Sequence, residues 1–257
     1  MRRAVIGLIG PVAVLVVLAG CTTSVAGLST GPTASNLDSS LAAPTPVVSQ
    51  GPCKYTSTPT APAPQGKAFG LPGDPIPTPN AGTATVTLQT TQGAIPLTLN
   101  RAQAPCTVQS FLFLALKTYF NASPCHRLTA DPGLSVLQCG DPTGTGEGGP
   151  GYTIPDENPT GLAPAPGAQP GTPTVIYPAG TVAMANTGQP NSGGSQFFLV
   201  YANSELPATY AVFGTVTGTG MATLSKIAAG GIVPQQNAQD GKPKLPVTIT
   251  KAVIASS

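Results

Sequence analysis

Apolar residues between positions 84 and 254 occur in short alternating runs that glycine and proline interrupt, which restricts the chain to short strands and tight turns. The clearest case is the segment 84–99. There Ala84, Val86 and Leu88 alternate with polar residues before a Thr-Gln-Gly turn and a second alternating run. This pattern predicts a β-hairpin.

Six further strands and two helices are predicted after the hairpin. One helix begins at Pro105, since proline is tolerated in the first helical turn, and the other covers 221–229, where Gly230 and Gly231 stop it. The strands are 125–129, 136–139, 180–185, 196–201, 211–216 and 247–254. Eight short strands with many turns predict a mainly β fold, built as a closed eight-stranded antiparallel barrel with two helices.

The start of the chain carries an export signature. Two arginines precede an apolar run at 4–18, which is too short to span a membrane comfortably and is typical of a signal peptide. Leu-Ala-Gly-Cys at 18–21 resembles the bacterial lipobox, whose cysteine is alkylated by diacylglycerol, and two acyl chains suffice for stable anchoring. The prediction is a lipoprotein signal peptide at 1–20 and a lipid anchor on Cys21 at the extracytoplasmic face of the cell membrane. An ordinary cleaved signal with a chance cysteine is the alternative.

Residues 21–81 are rich in Ser, Thr, Pro, Ala and Gly and contain few large apolar side chains. Such a composition cannot offset the entropy of ordering by burial. We therefore predict a lipid-anchored, disordered linker at 21–81 and a single folded domain at 82–257, which is long enough for a full core. Without the signal, 9 basic residues balance 9 acidic ones. The absence of a basic cluster argues against nucleic acid as a partner.

Four cysteines remain after Cys21, and an exported protein is permitted disulfides. They are Cys53, Cys106, Cys125 and Cys139. The sequence favours two disulfides but leaves all three pairings open. Zinc is disfavoured, since there is no Cys-x-x-Cys pair and the single histidine is adjacent to a cysteine; four reduced thiols remain an alternative. The missing Cys-x-x-Cys motif also argues against a thiol oxidoreductase.

Four short motifs place a guanidinium, two amides and an aromatic ring where one sheet face could present them. In strands, Arg127 shares a face with Cys125 and opposes His126, while Gln196 and Phe198 share a face. The motifs are Cys-His-Arg at 125–127, Leu-Gln-Cys-Gly-Asp at 137–141, Ala-Met-Ala-Asn at 183–186 and Gly-Ser-Gln-Phe-Phe at 194–198. A cation beside an apolar pocket is what gripping a prolyl peptide bond requires.

In order and spacing these motifs resemble the cyclophilin family of peptidyl-prolyl isomerases, over roughly 82–255. The resemblance implies an eight-stranded barrel capped at each open end by a helix, with no cofactor or metal. It implies that Arg127 is the catalytic residue. The substrate-binding residues that it implies are Gln138, Ala185, Asn186, Gln196, Phe198, Leu206, Tyr210, Leu134 and Val136.

The chain departs from the family pattern at several places. Cys125 stands where the family usually has Phe, Cys139 replaces a glycine, and three extra residues lie within 129–133. Ser135 aligns with a phenylalanine of the proline pocket, so that its wall is altered. Glu205 stands where many cyclophilins carry the tryptophan that supports cyclosporin binding, which predicts weak cyclosporin affinity.

The predicted function is a monomeric isomerase that assists the folding of exported proteins by rotating X–Pro bonds of proline-containing peptides. The alternative is a non-catalytic lipoprotein that binds such peptides.

Two further features are assigned no chemistry. The glycine-rich stretch 144–149 lacks the Gly-Lys-Ser/Thr ending of a phosphate-binding loop and is predicted to be a turn-rich loop beside the site. His126 is predicted to be a core-facing strand residue with a satisfied ring.

Overall fold

The computed structural model describes residues 45–58, 69–166 and 174–256. The predicted signal peptide, Cys21 and the linker residues up to 44 lie outside the described residues, as do residues 59–68 of the linker. Neither helix in the described part of the chain is long and apolar enough to cross a membrane.

The described residues form a mainly β structure with two helices, as the sequence predicts. The helices are α1 (Pro105–Leu116) and α2 (Gly220–Ala229). The strands are β1 (Thr56–Ser57), β2 (Thr83–Thr90), β3 (Gly93–Asn100), β4 (Ser123–Pro124), β5 (Arg127–Thr129), β6 (Val136–Cys139), β7 (Tyr152–Thr153), β8 (Thr174–Tyr177), β9 (Thr181–Met184), β10 (Phe197–Val200), β11 (Ser204–Pro207), β12 (Val212–Val216), β13 (Ile232–Asn237), β14 (Asp240–Pro243) and β15 (Thr248–Ile254).

Eleven of these strands form one curled sheet in the order β13-β14-β5-β6-β10-β9-β12-β3-β2-β15-β4. The prediction of a closed eight-stranded barrel is therefore wrong, since the sheet is a half-barrel with β13 and β4 at its edges. Two features explain the difference. Strand pairing is interrupted at Cys125 and His126, which separate β4 from β5, and the hairpin β13–β14 adds two strands beside β5. The sequence pattern does not predict the strands of that hairpin, of the pair β8–β11 or of the pair β1–β7.

Helix α1 covers one face of the sheet and packs against β3, β12 and β15. It begins at Pro105, as predicted. The backbone N–H groups of Cys106 and Thr107 donate to the two carboxylate oxygens of Glu157 at 2.9 and 2.8 Å. A negative charge at a helix N-terminus is stabilising. Glu157 therefore anchors the loop that follows β7 to the start of α1.

A segment of the predicted linker packs into the domain. Tyr55 is fully buried and donates from its hydroxyl to the carbonyl of Cys106 at 2.8 Å. Cys53 forms a disulfide with Cys106, and β1 pairs with β7. The predicted boundary at residue 82 is thus corrected, because a buried aromatic side chain and a disulfide hold residues that composition alone assigned to a linker.

The four cysteines form two disulfides, Cys53–Cys106 and Cys125–Cys139, as the sequence favoured. The second bond links the segment before β5 to the end of β6. It therefore lies two residues from Arg127 along one strand and one residue from Gln138 along the other.

Two buried clusters lie on opposite faces of β10. Phe197 projects into the main core, where its ring lies 5.2 Å from that of Phe111. Phe198 projects to the other side, because successive side chains of a strand alternate. It belongs to a smaller cluster whose members are Val136, Val175, Tyr177, Ala183, Phe198, Val200 and Val212. This smaller cluster forms the floor of the candidate site.

Candidate active site

A row of paired residues crosses the sheet at the site. Arg127 of β5 pairs with Gln138 of β6, and Gln138 pairs with Phe198 of β10. Phe198 in turn pairs with Ala183 of β9. Directly paired residues of antiparallel strands project to the same face. The guanidinium, the amide and the phenyl ring therefore lie side by side on the face opposite the main core.

The polar side chains of this face form a chain of hydrogen bonds. Arg127 Nη1 donates to Gln138 Oε1 at 3.1 Å, and Gln138 Nε2 donates to Gln196 Oε1 at 2.9 Å. Gln196 Nε2 then donates to the carbonyls of Gly146 and Gly148 at 2.8 and 3.0 Å. Each amide has a donor role and an acceptor role in this chain. The guanidinium is thus linked to the glycine-rich loop through two glutamines.

Arg127 also forms an ion pair that sequence analysis missed. Its Nε donates to Asp240 Oδ1 at 2.8 Å and its Nη2 to Asp240 Oδ2 at 2.7 Å. Asp240 begins β14, a strand that sequence analysis did not assign. The alternation of β5 gives no signal for it, because the partner lies 113 residues away along the chain.

A cavity of about 260 Å³ lies beside the guanidinium. It is lined by nine of the ten residues that sequence analysis singled out for catalysis and substrate binding. They are Arg127, Leu134, Val136, Gln138, Ala185, Asn186, Phe198, Leu206 and Tyr210. The tenth, Gln196, lines an adjoining cavity of about 570 Å³, which shares Gln138, Ala185 and Asn186 with the first. The structure brings the set together, and the roles of its members stay predictions.

Aromatic side chains build the apolar floor and one wall of the smaller cavity. Phe198 is 5% exposed, and its ring lies edge-on to that of Tyr210, with centroids 5.5 Å apart. Behind them, Tyr177 donates from its hydroxyl towards the carbonyls of Pro207 and Tyr210 at 3.0 and 3.1 Å. Burial raises the pKa of Tyr177 to about 12, so the phenol keeps its proton and this donor. Tyr177, which sequence analysis missed, fixes the segment that carries Tyr210.

The opposite wall contains the altered hairpin between β5 and β6. Leu134 and Val136 line the cavity, whereas the backbone of Ser135 is tied to neighbouring residues. Its N–H donates to Ser204 Oγ at 2.9 Å, and its carbonyl accepts from the N–H of Tyr201 at 3.0 Å. The lining on this side is aliphatic, because Leu134 and Val136, and not Ser135, reach the cavity.

The family of the chain follows from the match of residues 85–254 to one known family. The family model described as cyclophilin-type peptidyl-prolyl cis-trans isomerase matches residues 85–254. The chain belongs to this family. It is 50% identical over 169 residues to the probable peptidyl-prolyl cis-trans isomerase B of Mycobacterium tuberculosis, with 66% of this chain and 54% of that protein covered. For the protein of the same name from Mycobacterium leprae the identity is 50% over 182 residues, covering 68% and 60%. The cyclophilin therefore spans little more than half the length of these relatives.

The fold of a solved relative agrees with this assignment. A cyclophilin-type peptidyl-prolyl cis-trans isomerase from Cryptosporidium parvum superposes with a TM-score of 0.55 at 28% identity, covering 68% of this chain and 99% of that one. A second crystal structure of that protein, in the presence of the dipeptide Ala-Pro, gives a TM-score of 0.53 at 29% identity, with 67% and 99% covered.

Asn186 of this cyclophilin uses its side chain within the protein. Its Nδ2 donates to the carbonyl of Thr209 at 2.9 Å, and its Oδ1 accepts from the N–H of Gly188 at 3.0 Å. The amide therefore joins the segment after β9 to the segment that carries Tyr210. It holds two walls of the cavity at a fixed separation.

The glycine-rich loop of the cyclophilin is organised around a buried carboxylate. Asp141 accepts from the backbone N–H groups of Thr143, Gly146 and Gly148 at 2.7, 2.7 and 3.2 Å. Burial by itself raises the pKa of Asp141, but these bonds and that from the Thr143 hydroxyl outweigh it and lower the pKa below its ordinary value. Because the loop N–H groups point at Asp141, the loop serves to present its carbonyls to Gln196.

His126 is buried, at 8% exposure, next to the catalytic candidate. Its Nδ1 has no hydrogen-bond partner among the described residues, so the expectation of a fully satisfied ring is wrong. Burial lowers the pKa of His126; the Asp141 carboxylate opposes this effect and the Arg127 guanidinium adds to it. The imidazole is therefore neutral at neutral pH. Within the described part of the chain, no group of three His, Cys, Asp or Glu side chains is placed to hold a metal ion.

Proposed function

We propose that this cyclophilin catalyses cis–trans isomerisation of X–Pro bonds in exported proteins. The observation that carries the proposal is the cavity of about 260 Å³ in which Arg127 lies beside an apolar floor of Phe198 and Tyr210. The names of the relatives support the same activity. A solved relative was crystallised in the presence of Ala-Pro, the kind of dipeptide that such a cavity suits.

The chemistry requires no nucleophile and no proton transfer. An X–Pro bond rotates over a barrier of about 18–20 kcal/mol, because the nitrogen lone pair is delocalised into the carbonyl. In the twisted state that lone pair is localised on nitrogen, where it attracts a hydrogen-bond donor. An N–H of the Arg127 guanidinium supplies the donor, and the apolar floor holds the proline ring while the preceding carbonyl turns.

The magnitudes are consistent with this mechanism. Reaching a millisecond turnover requires lowering the barrier by about 6–7 kcal/mol. A charge-assisted hydrogen bond contributes about 1.5–3 kcal/mol net, and more where water is excluded. The remainder comes from holding the substrate backbone with the neighbouring polar groups, for which Gln138 and the main chain at Ala185 and Asn186 line the cavity.

We further propose that the protein is anchored through Cys21 on the extracytoplasmic face of the membrane. The apolar run at 4–18 and the lipobox-like 18–21 support this assignment. The two disulfides fit an oxidising compartment. Labelling cells with radioactive palmitate tests the proposal. The wild type should carry label and sediment with membranes, and Cys21→Ala should do neither; an unlabelled wild type contradicts it.

The decisive experiment for the activity compares wild type with Arg127→Ala on a short Ala-Pro peptide by NMR exchange spectroscopy. We expect the variant to lose most of its turnover while the peptide still binds. A wild type that binds the peptide without accelerating exchange identifies the alternative, a non-catalytic proline-peptide-binding lipoprotein. Replacing Lys251, an exposed residue on β15, with alanine is a matched control for loss of one positive charge.

A further inference from the structure

We infer that Asp240 is a positioning residue for Arg127 in the isomerisation, an inference that rests on the proposed function. Its carboxylate contacts the guanidinium and does not line the cavity of about 260 Å³. It lines an adjoining cavity of about 490 Å³, which shares Arg127 and Gln138 with the first but lacks Phe198 and Tyr210, so we assign its effect to the orientation of Arg127.

The register of the sheet places the carboxylate beside the guanidinium. Asp240 pairs with Thr129 across β14 and β5. Thr129 is two residues beyond Arg127, so both project to the same face of β5. Asp240 is thus the diagonal neighbour of Arg127, at a separation that long side chains span.

The contact fixes the orientation of the guanidinium as well as its position. Two parallel bonds, from Nε and Nη2 of Arg127 to the two oxygens of Asp240, define the plane of the fork. Gln138 accepts a third N–H, from Nη1. A guanidinium has five N–H donors. The two that have no acceptor among the described residues, one on each Nη, are consequently aimed in fixed directions.

Burial does not hold the guanidinium in place without Asp240. The Arg127 side chain is 32% exposed, whereas that of Asp240 is 8% exposed. Removing the carboxylate leaves Arg127 with the single bond to Gln138, about which the planar group can turn. The carboxylate also offsets part of the positive charge, which by itself weakens attraction to the substrate nitrogen. Orientation outweighs this effect, since misplacing a catalytic group by about 1 Å costs up to about 100-fold in rate.

The hairpin that carries Asp240 is itself tightly held. A Cβ on Gly241 would overlap the carbonyl oxygen of Val233, so only glycine permits this approach of β13 to β14. On the other side, the N–H of Ala130 donates to the carbonyl of Gln239 at 2.9 Å. Backbone contacts with β5 and β13 therefore fix the carboxylate before any substrate binds.

The test measures kcat and KM for an Ala-Pro peptide by NMR exchange in wild type, Asp240→Asn, Asp240→Ala, Arg127→Ala and the double variant Arg127→Ala/Asp240→Ala. We expect Asp240→Ala to lower kcat about 10- to 100-fold with KM little changed, and Asp240→Asn, which keeps one acceptor oxygen, to lose less. In the Arg127→Ala background the Asp240 substitution should have no further effect. Asp156→Asn removes an exposed carboxylate that does not contact Arg127 and should retain wild-type kcat.

Each outcome has a distinct meaning. A wild type without turnover overturns the proposed function. An active wild type whose kcat is unchanged by Asp240→Ala, or a double variant well below Arg127→Ala, overturns only the inference. A second readout is independent of turnover: the Arg127 Nε–Hε NMR resonance should be shifted and slow to exchange in wild type and lose both properties in Asp240→Ala. Identical spectra for the two folded proteins overturn the inference as well.

Discussion

Arg127 and Gln138 lie directly opposite each other in β5 and β6, and the guanidinium donates to the amide oxygen at 3.1 Å. Because Gln138 also donates to Gln196, one side chain joins the cation to the neighbouring cavity. The guanidinium beside the smaller cavity and the amide that lines the larger one are therefore joined by hydrogen bonds.

Substitution of Gln138 should separate these two connections. Gln138→Ala removes both bonds, and a hydrogen bond to a charged group contributes about 1.5–3 kcal/mol. We expect kcat/KM for an Ala-Pro peptide to fall about 10- to 100-fold. Gln138→Glu keeps the acceptor for Arg127 but loses the donor to Gln196, so it should retain more activity than Gln138→Ala. Equal losses in the two variants contradict this account.

The two disulfides should differ in their contribution to stability. In the chain-entropy description, stabilisation grows with the length of the closed loop, and the sequence separations are 53 for Cys53–Cys106 and 14 for Cys125–Cys139. Replacing both cysteines of a pair with serine should lower the free energy of unfolding by about 4 kcal/mol for the first and about 3 kcal/mol for the second. Urea denaturation of the two double variants provides the measurement. A larger loss for Cys125–Cys139 contradicts the loop-length argument.

The stability of the protein should fall on mild acidification because of His126. Burial lowers its pKa in the folded state, whereas the unfolded chain takes up the proton near the ordinary value of 6.5. The unfolded state then binds more protons below about pH 6.5, so the free energy of unfolding decreases as the pH falls, by at most about 1.4 kcal/mol per pH unit.

The chain has a single histidine, which makes this effect separable. Between pH 7 and pH 5, His126→Gln should show a flatter dependence of the urea midpoint on pH than the wild type. Asp141 affects the free energy of unfolding only at lower pH, since its pKa in the folded state lies below the ordinary 3.8. The stabilisation that its ionised carboxylate gives is lost as the pH falls through that folded-state pKa. Parallel curves for the two proteins between pH 7 and pH 5 exclude His126 as the cause.

Cyclosporin should bind this cyclophilin weakly. Glu205 is exposed on β11, one residue before Leu206 of the cavity, where the family pattern often has tryptophan. Glu205→Trp should tighten cyclosporin binding at least about tenfold, or ~1.4 kcal/mol, without loss of turnover on Ala-Pro. Calorimetric titration measures both affinities. Nanomolar binding by the wild type shows that the local alignment at Glu205 is wrong.

Local pattern predicted the elements whose residues alternate or recur within one segment. The hairpin β2–β3 and helix α1 are examples, because their apolar positions repeat at the period of the element that they form. The set of residues around the cavity followed from motifs that each lie within one strand or the turn after it. Pairing of the strands then brought those motifs together, which no single segment encodes.

Features that depend on residues distant in the chain could not be predicted from the pattern of a single segment. Asp240 gains its meaning only from pairing with β5, and β13–β14 contains prolines and polar residues that hide its alternation. Tyr55 lies in a stretch whose average composition is that of a linker, yet one buried ring and one disulfide outweigh that average. Closure of the sheet likewise depends on where pairing is interrupted, at Cys125 and His126, and not on the number of apolar runs.

The bond between Cys53 and Cys106 has a consequence for proteolysis. A protease that cuts the backbone once between these two residues does not separate the fragments, since the sulfur bridge spans the break. After such a nick, residues 1–52 stay covalently linked to residues 106–257 until a reductant opens the bridge or a second cut falls upstream of Cys53.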